Sequence, residues 1–435
     1  MSARAAIVVT GTEVLSGRVR DRNGPWLADR LSALGVDLAH VTIVGDRPGD
    51  MRAALDWCRE VGVDLVITSG GLGPTADDLT ATVVGEFSGR AMVLDTALEE
   101  RIAAIVLPLR ARWPHLTEET IRASNRKQAV IPEGATVIEP VGTAPALVVA
   151  PADGRDGPTV VVLPGPPREL QPMWESVTQT PAFALAIRDA TVYEQRMLRL
   201  FGLPESEIAT TLREAELAGV PLEEIEITTC VRGGELEIVT RFEPHAREVY
   251  EAFEQIVRDR HAQTLFSDDG TGVDEQVASM LVAQGLTVAA AESCTGGLMM
   301  GRLTDRPGAS AYFRGGFVVY ANDLKTELAG VPAELLERYG AVSEEVAVAL
   351  AQGARERAGA HIGIGITGVA GPDGGTPERP VGLVWIALCA ADGRELVRRV
   401  DQRGNRADIR ERTTTSAMHM LRRLLLGASD RAPAA

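Results

Sequence analysis

The stretch SGGLGPTADDLT, residues 69–80, decides how the first half of this chain is read. It follows VDLVIT (63–68), an apolar, β-branched run of buried-strand length, and combines Gly70, Gly71 and Gly73 with a proline-fixed turn and the adjacent carboxylates Asp77 and Asp78. A glycine-rich loop at the carboxyl end of a buried strand is where open α/β sheets bind phosphates and other anions. Outward from it, AAIVVTG, NGPWLADRLSALG, VDLAHVTIVGD and GDMRAALDWCREVG alternate strand and helix patterns, which predicts βαβ units and a mostly parallel sheet. After a helical stretch at 95–112, PALVVAPA and PTVVVLPGPP read as two further strands, and the unit (1–180) closes near TQTPAF.

A second such turn, AESCTGG (291–297), follows the strand-like LTVAAA and opens another α/β unit, 273–426. Its expected helices are 273–284, 296–304, 343–358 and 407–426, with strands LTVAAAE, GGFVVYA, HIGIGITG and VGLVWIALCA; the tail ASDRAPAA is expected to be disordered. Between the two lies a smaller α+β segment, 189–262, with helices at 204–218 and 244–261 around the hairpin IEITTCVRGGELEIVTRF. RGG at 232–234 resembles a phosphate-gripping loop but sits between two alternating strands, so it reads as a hairpin turn, and DDGTG (268–272) reads as a linker.

With 435 residues the chain should hold two to four domains, and its 45% hydrophobic content is ample for their cores. The expectation is a soluble, cytoplasmic protein: no run reaches a membrane span, and the amino terminus enters a strand without a signal-peptide pattern. Cys58, Cys230, Cys294 and Cys389 are scattered, which opposes a zinc site and a disulfide framework. A net charge of −16 and 4% aromatic residues oppose a nucleic-acid partner.

Asp77 and Asp78 beside a pyrophosphate make sense as ligands of a hard cation, Mg²⁺ by default, with Thr75 and Thr80 as further oxygen donors and the three glycines presenting backbone N–H groups. The competing reading is that DDLT only caps a helix starting near Leu79. In the second turn Ser293 sits near the positive end of the next helix, whose N–H groups could form an oxyanion hole. Its base would be Lys325 of YANDLK, if desolvation lowers the lysine pKa; otherwise Lys325 is a solvated helix lysine. Cys294 is the rival nucleophile, although a thiolate would normally want a cationic partner. AESCTGG could also be an N-cap and tight turn without chemistry.

GTEVLSGRVRDRN (11–23), VGD (44–46), SGGLGPTADDLT, NRKQAVIP (125–132), GTAPA (142–146) and LPGPPRE (163–169), in this order, resemble the molybdopterin-binding fold of the MoaB/MogA type in its CinA version. The resemblance implies a nucleotide pyrophosphatase acting on ADP-ribose or a related NAD-derived dinucleotide with a divalent metal (Mg, Mn or Co); molybdopterin binding is the related alternative. Asp46, Asp77 and Asp78 would serve metal and pyrophosphate, with Asp78 catalytic. Glu13, Asn23, Asn125, Arg126 and Gln128 would line the pocket, and the Gly142–Thr143 turn would touch the ligand. Asp46 as a turn residue before Pro48, and Asn125 as a helix C-cap, are the structural alternatives. Ala76, Glu139 and Ala146 depart from the family's histidine, asparagine and glycine.

GGFVVYANDLKTELAGV, GAVSEEVA, GIGITGVAGPDGG and RPVGLVWIAL extend the resemblance to the CinA carboxyl-terminal domain. This implies a metal-free amidohydrolase that converts nicotinamide mononucleotide to nicotinic acid mononucleotide and ammonia. Ser293 would attack, Lys325 would accept its proton and Tyr320 would assist. Thr295 with the Gly296 and Gly297 backbone would hold the oxyanion, and Thr367, Gly368, Ala370 and Gly371 would cradle the ribose phosphate. Arg406 matches a phosphate-binding arginine, or is a surface arginine, and the aspartate usual before it is Asn405. The whole is expected to be two three-layer α/β domains joined by a KH-like α+β module, a spacer and dimerisation element without a GxxG loop, in a homodimer. The contrasting reading is a regulatory dimer that binds a nucleotide or molybdopterin without turnover.

Overall fold

The computed structural model describes residues 2–108 and 117–430; positions 109–112 of the expected helix and 431–435 of the tail lie outside the described residues. The chain parts into two compact units, Met1–Tyr193 and Glu194–Ala435.

In the first unit the strands are β1 (Arg4–Thr10), β2 (Asp37–Val44), β3 (Leu65–Ser69), β4 (Met92–Leu94), β5 (Val130–Pro132), β6 (Thr136–Ile138), β7 (Ala146–Val149) and β8 (Thr159–Leu163). Six of them form one sheet in the order β2-β1-β3-β8-β7-β6, while β4 and β5 pair separately. β2, β1, β3 and β8 are parallel, and β7 and β6 add an antiparallel edge. Because successive strand residues face opposite sides, Ala6 and Val8 of β1 enter one core and Ala5, Ile7 and Val9 another. Helices Pro48–Glu60, Thr80–Ser88 and Thr96–Val106 cover the first face; Asn23–Ala33 and Pro167–Thr178 cover the second. This is the three-layer architecture that the strand–helix alternation predicts.

The second unit begins with β9 (Glu194–Phe201), β10 (Ile225–Arg232), β11 (Glu235–Phe242) and β12 (Leu265–Ser267), an antiparallel sheet ordered β10-β11-β9-β12. Gly233 and Gly234, at φ of 60° and 95°, make the two-residue turn between β10 and β11. RGG is therefore the hairpin turn it was expected to be. The same unit continues with β13 (Val288–Glu292), β14 (Phe313–Val318), β15 (Ile362–Gly368), β16 (Leu383–Ala390) and β17 (Glu395–Asp401), ordered β14-β13-β15-β16-β17. The first three are parallel and the last two antiparallel.

Here too one strand feeds two cores, Val288 and Ala290 on one face and Ala289 and Ala291 on the other. The alternation GIGI in β15 has a packing reason. A Cβ on Gly363 or Gly365 would stand 1.9 or 2.1 Å from the carbonyls of Ala351 and Ala347, so helix Glu344–Ala358 lies directly on the strand. Strands β12 and β17 escape sequence reading because they are short or charge-rich edge segments, and β9, although interior to its sheet, because it is rich in charged and polar residues. Among the described residues, no helix is long and apolar enough to cross a membrane.

Candidate active sites

In the first unit the carboxyl ends of β1, β2, β3 and β8 meet, and their loops enclose a cleft of about 400 Å³ lined by Glu13, Asp46, Gly70, Gly71, Gly73, Asp77, Asp78, Gln128 and Thr143. A second lobe of about 350 Å³ lies beyond the Gly71–Gly73 wall and is lined by Asp78, Arg126, Lys127 and Gln128. Both volumes fall in the usual range of small-molecule sites, about 300–1,000 Å³.

The aspartates do not cap the next helix. Leu79 stands at the N-cap of Thr80–Ser88 without a side-chain bond, and Asp78 instead accepts from Thr75 N–H at 2.9 Å. The Thr75 hydroxyl lies 2.5 Å from both Asp77 Oδ1 and Asp78 Oδ2, with one proton to serve two carboxylates. That bond, assisted by Lys127, holds the Asp77 carboxyl below its ordinary range. Asp46 is not merely a turn residue: its Oδ2 accepts from Thr12 N–H at 2.8 Å and ties the β2 loop to the β1 loop.

The glycines do more packing than ligand donation. A Cβ on Gly70 would lie 2.5 Å from Thr10 O, on Gly71 2.1 Å from Thr80 Oγ1, and on Gly73 2.4 Å from Asp78 Oδ2. Gly70 N–H is taken by Leu163 O at 3.0 Å, and Thr80 is buried beneath the loop. The N–H groups of Gly71 and Gly73 donate to no backbone carbonyl among the described residues.

Asn23 proves to be a buried brace. Its Nδ2 donates to Ser69 Oγ (2.8 Å) and Gly165 O (2.6 Å), joining the ends of β3 and β8 from below the cleft. Gln128 reaches Leu72 O (2.8 Å) and Thr143 Oγ1 (3.2 Å). Asn125 lies within helix Glu118–Arg126, one residue before its end, and lines neither lobe. The Gly142 turn rests on Glu169, a lining carboxylate whose place in LPGPPRE was its only signal. Lys127 was also missed: inside NRKQAVIP, it donates to the carbonyls of Thr75 and Ala76. Of the departures, Glu139 pairs with Arg101 at the surface (3.2 Å), and Ala146 is a buried β7 residue.

A divalent cation fits this donor set in part. The two carboxylates crowding one hydroxyl are a charge cluster that a cation would neutralise. Among the described residues, however, no three acidic, His or Cys side chains converge as a coordination sphere. Mg²⁺ is commonly held by one or two carboxylates with substrate phosphates completing the shell, and Asp77 and Asp78 suit that mode.

In the second unit the topology brings the carboxyl ends of β13, β14 and β15 to the same edge as the loops flanking β16 and β17. Ser293, Tyr320 and Gly371 sit on those loops, Lys325 on the short helix Asn322–Glu327 and Arg406 at the start of helix Arg406–Leu425. Ser293 is 8% exposed, and its hydroxyl bonds to no other described residue. Lys325 is not a solvated lysine: it is 2% exposed, with Nζ donating to Tyr320 O at 3.0 Å and touching Asn322 Oδ1 at 3.5 Å. Desolvation pushes its pKa down, against a smaller opposite effect from nearby Cys294. Burial in turn pushes the Cys294 thiol up to about 12, so it is protonated at neutral pH and a poor nucleophile.

Glu292, which sequence reading passed over, changes the oxyanion argument. Completely buried, its carboxylate accepts from the N–H groups of Gly297 (2.9 Å), Met299 (3.2 Å) and Met300 (2.8 Å). The start of helix Leu298–Thr304 is therefore already satisfied, and Gly296 N–H goes to Ser293 O at 3.1 Å. Among the described residues the amides of Cys294 and Thr295 are the ones in this turn taken by neither carboxylate nor carbonyl, and both face the Cys294 sulfur. Thr295 is wholly buried, its hydroxyl unpartnered, and its carbonyl accepts from Arg410 at 2.7 Å. The signal for Glu292 was an acidic residue closing the buried apolar strand VAAAE. Glu292→Ala strands three amide donors, one buried and two half-buried, around a fully buried site and is expected to cost about 3–5 kcal/mol, with Glu292→Gln milder; urea denaturation reads both.

Arg406 is more than a surface arginine: Nη1 holds Gly371 O (2.7 Å) and Nη2 reaches the Tyr320 hydroxyl (3.2 Å). Thr367 is buried and spends its proton on Ala341 O (2.6 Å), so it can offer a ligand only lone pairs. Gly368 pairs in the β15–β16 ladder, and Ala370 is buried beneath the loop. Asn405 caps helix Arg406–Leu425 in a capping box with Asp408, which accounts for its tolerance in place of aspartate. The larger clefts of this unit, about 650 and 750 Å³, contain neither Ser293 nor Lys325; the serine site is at the open sheet edge, where Tyr320 is 61% exposed.

Fold and sites define a protein with a molybdopterin-binding-type domain followed by a second α/β domain. Residues 6–183 match a probable molybdopterin binding domain, and 271–425 match the CinA C-terminal domain. A CinA-like protein of Mycolicibacterium vanbaalenii is 57% identical over 98% of this chain and 100% of its own length. One of Mycobacterium tuberculosis is 56% identical over 98% of each. The chain belongs to the CinA-like family. A solved structure of a competence/damage inducible protein from Agrobacterium tumefaciens is 42% identical, covering 35% of this chain and 96% of that one at a TM-score of 0.34.

Proposed function

We propose that this chain is a two-site hydrolase of NAD metabolism, deamidating nicotinamide mononucleotide at Ser293 and cleaving the pyrophosphate of ADP-ribose or a related dinucleotide at the first cleft. The observation that carries the first activity is a buried lysine with depressed basicity on the same sheet edge as an unengaged serine hydroxyl. Neutral Lys325 accepts the Ser293 proton as Oγ attacks the carboxamide carbon. The Cys294 and Thr295 amides stabilise the oxyanion. The nitrogen leaves as ammonia, taking its proton from Lys325 or from the Tyr320 hydroxyl, whose lone pair is held by Arg406. Water, deprotonated by Lys325, then hydrolyses the acyl-serine ester. Arg406 and the Gly371 loop bind the phosphate.

The two-lobed cleft supports the second activity, because its acidic and cationic lobes flank one loop as the halves of a dinucleotide would flank their pyrophosphate. Asp77 and Asp78 would hold a divalent cation there, which would neutralise phosphate charge. Lys127 and Arg126 add cationic neutralisation in the second lobe. A homodimer joined through the middle segment remains part of this proposal.

The test is release of ammonia from nicotinamide mononucleotide in the presence of chelator, beside AMP release from ADP-ribose with Mg²⁺, Mn²⁺ or Co²⁺. Chelator should spare the first and abolish the second, and Asp78→Asn should lower only the second, by about 10²-fold or more. Calorimetric binding of ADP-ribose without turnover under any metal would instead favour the regulatory reading for the first unit.

A further inference from the structure

The second unit holds a cleft of about 650 Å³ remote from the serine turn, and its wall is cationic. Arg398, Arg422 and Arg423 line it over an apolar floor of Phe266, Val400 and Met420, and among the described residues no Asp or Glu lines it, in a chain of net charge −16. Arg398 is committed to Asp430, at 2.6 and 3.0 Å, and the same carboxylate feels Arg423. Arg422 differs. Its Nη2 donates to Phe266 O (3.0 Å) and its Nε to Gln276 Oε1 (2.5 Å), both neutral acceptors, while the guanidinium lies 5.8 Å from the Phe266 ring centroid.

Among the described residues, no carboxylate comes within ion-pair distance of Arg422 or Arg423. Half-buried and without a counterion, Arg422 has its pKa lowered by desolvation alone. A guanidinium kept from water without an anion is costly, and an anionic ligand repays that cost. The back wall is firm: His419 is buried, bonded to Glu235 at 2.7 Å and stacked on Phe201 at 3.8 Å between centroids. Ser416 Oγ accepts from Gln402 at 3.0 Å and keeps its own proton to donate.

We propose that this cleft binds an organic phosphate of mononucleotide size, its phosphate on Arg422 and Arg423 and its apolar part over Phe266, Val400 and Met420. Arginine suits the group because its planar fork matches phosphate oxygens. The site lies about 24 Å along helix Arg406–Leu425 from Arg406, so it is separate from the deamidase centre.

The experiment is calorimetry on the full chain with AMP, inorganic phosphate and adenosine as probes, for wild type, Arg422→Gln and Arg423→Gln. Expected is an AMP component that weakens roughly ten- to hundredfold in either variant and falls with added salt, with adenosine failing to reproduce it. AMP binding equal in wild type and both variants, or no AMP binding in wild type, overturns the proposal. Phosphate binding as tightly as AMP overturns the apolar half of it. Should Arg422→Gln fail to fold, the exposed Arg423→Gln, which loses no hydrogen bond, decides alone.

Discussion

Ser293→Ala is expected to reduce deamidation of nicotinamide mononucleotide by on the order of 10⁴–10⁶-fold while leaving the fold intact. The hydroxyl makes no hydrogen bond to another described residue, so its loss should change stability by less than about 0.5 kcal/mol in urea denaturation. Cys294→Ser should retain most activity, because that thiol is held protonated by burial and serves as wall rather than nucleophile. If Ser293→Ala keeps its rate and Cys294→Ser loses it, the assignment of the nucleophile is wrong. Ammonia release that persists when both are replaced would point to a water attacking directly.

Lys325→Met should lower the same rate by about 10²–10⁴-fold, the usual contribution of a positioned base, and yet leave the protein as stable as wild type or more so. The reason is that Lys325 carries a charge into a nearly closed site whose contacts are a carbonyl and an amide oxygen, a burial that methionine avoids. Lys325→Arg retains charge at every accessible pH and should be equally inactive. The direction of the pH effect follows from the lowered pKa. The neutral base accumulates as pH rises, so the wild-type rate should climb with pH and level off below the ordinary lysine value of 10.5. In the window between the lowered value and 10.5 the unfolded chain binds more protons than the folded one, so stability also rises with pH there. Lys325→Met should lack that rise. A flat pH–rate profile in wild type, or a Lys325→Met variant that turns over normally, would remove the lysine from the mechanism.

Much of this was legible in the residues. The alternation of AAIVVTG, VDLAHVTIVGD and VDLVIT with helical patterns foretold the first sheet, and LTVAAAE with HIGIGITG foretold the heart of the second. Buried parallel strands have to be continuous apolar runs, and glycine-rich turns have to follow them where a backbone reverses. Charge-rich strands carry no such signal: the edge strand β17 is ELVRRVD, and β9, interior to its sheet, is EQRMLRLF.

Side-chain partners were the other gap. DDLT reads as a helix cap by spacing, but the aspartates turn back to Thr75 because the loop folds on itself at Gly71 and Gly73. Asn23 reads as a pocket residue and is a brace beneath it, because only the approach of β3 and β8 supplies its two acceptors.

The sequence by itself determined the strands, their loops and the residue types placed at each loop, since hydrophobic period and glycine position are local properties of the chain. Tertiary structure alone decided which of those groups are dry and which are already satisfied. It buried Lys325, gave the helix amides to Glu292 and left Arg422 with neutral hydrogen-bond partners and no counterion among the described residues. Desolvation and hydrogen-bond partnership depend on what other segments bring to the same point in space, and that is not written in any one of them.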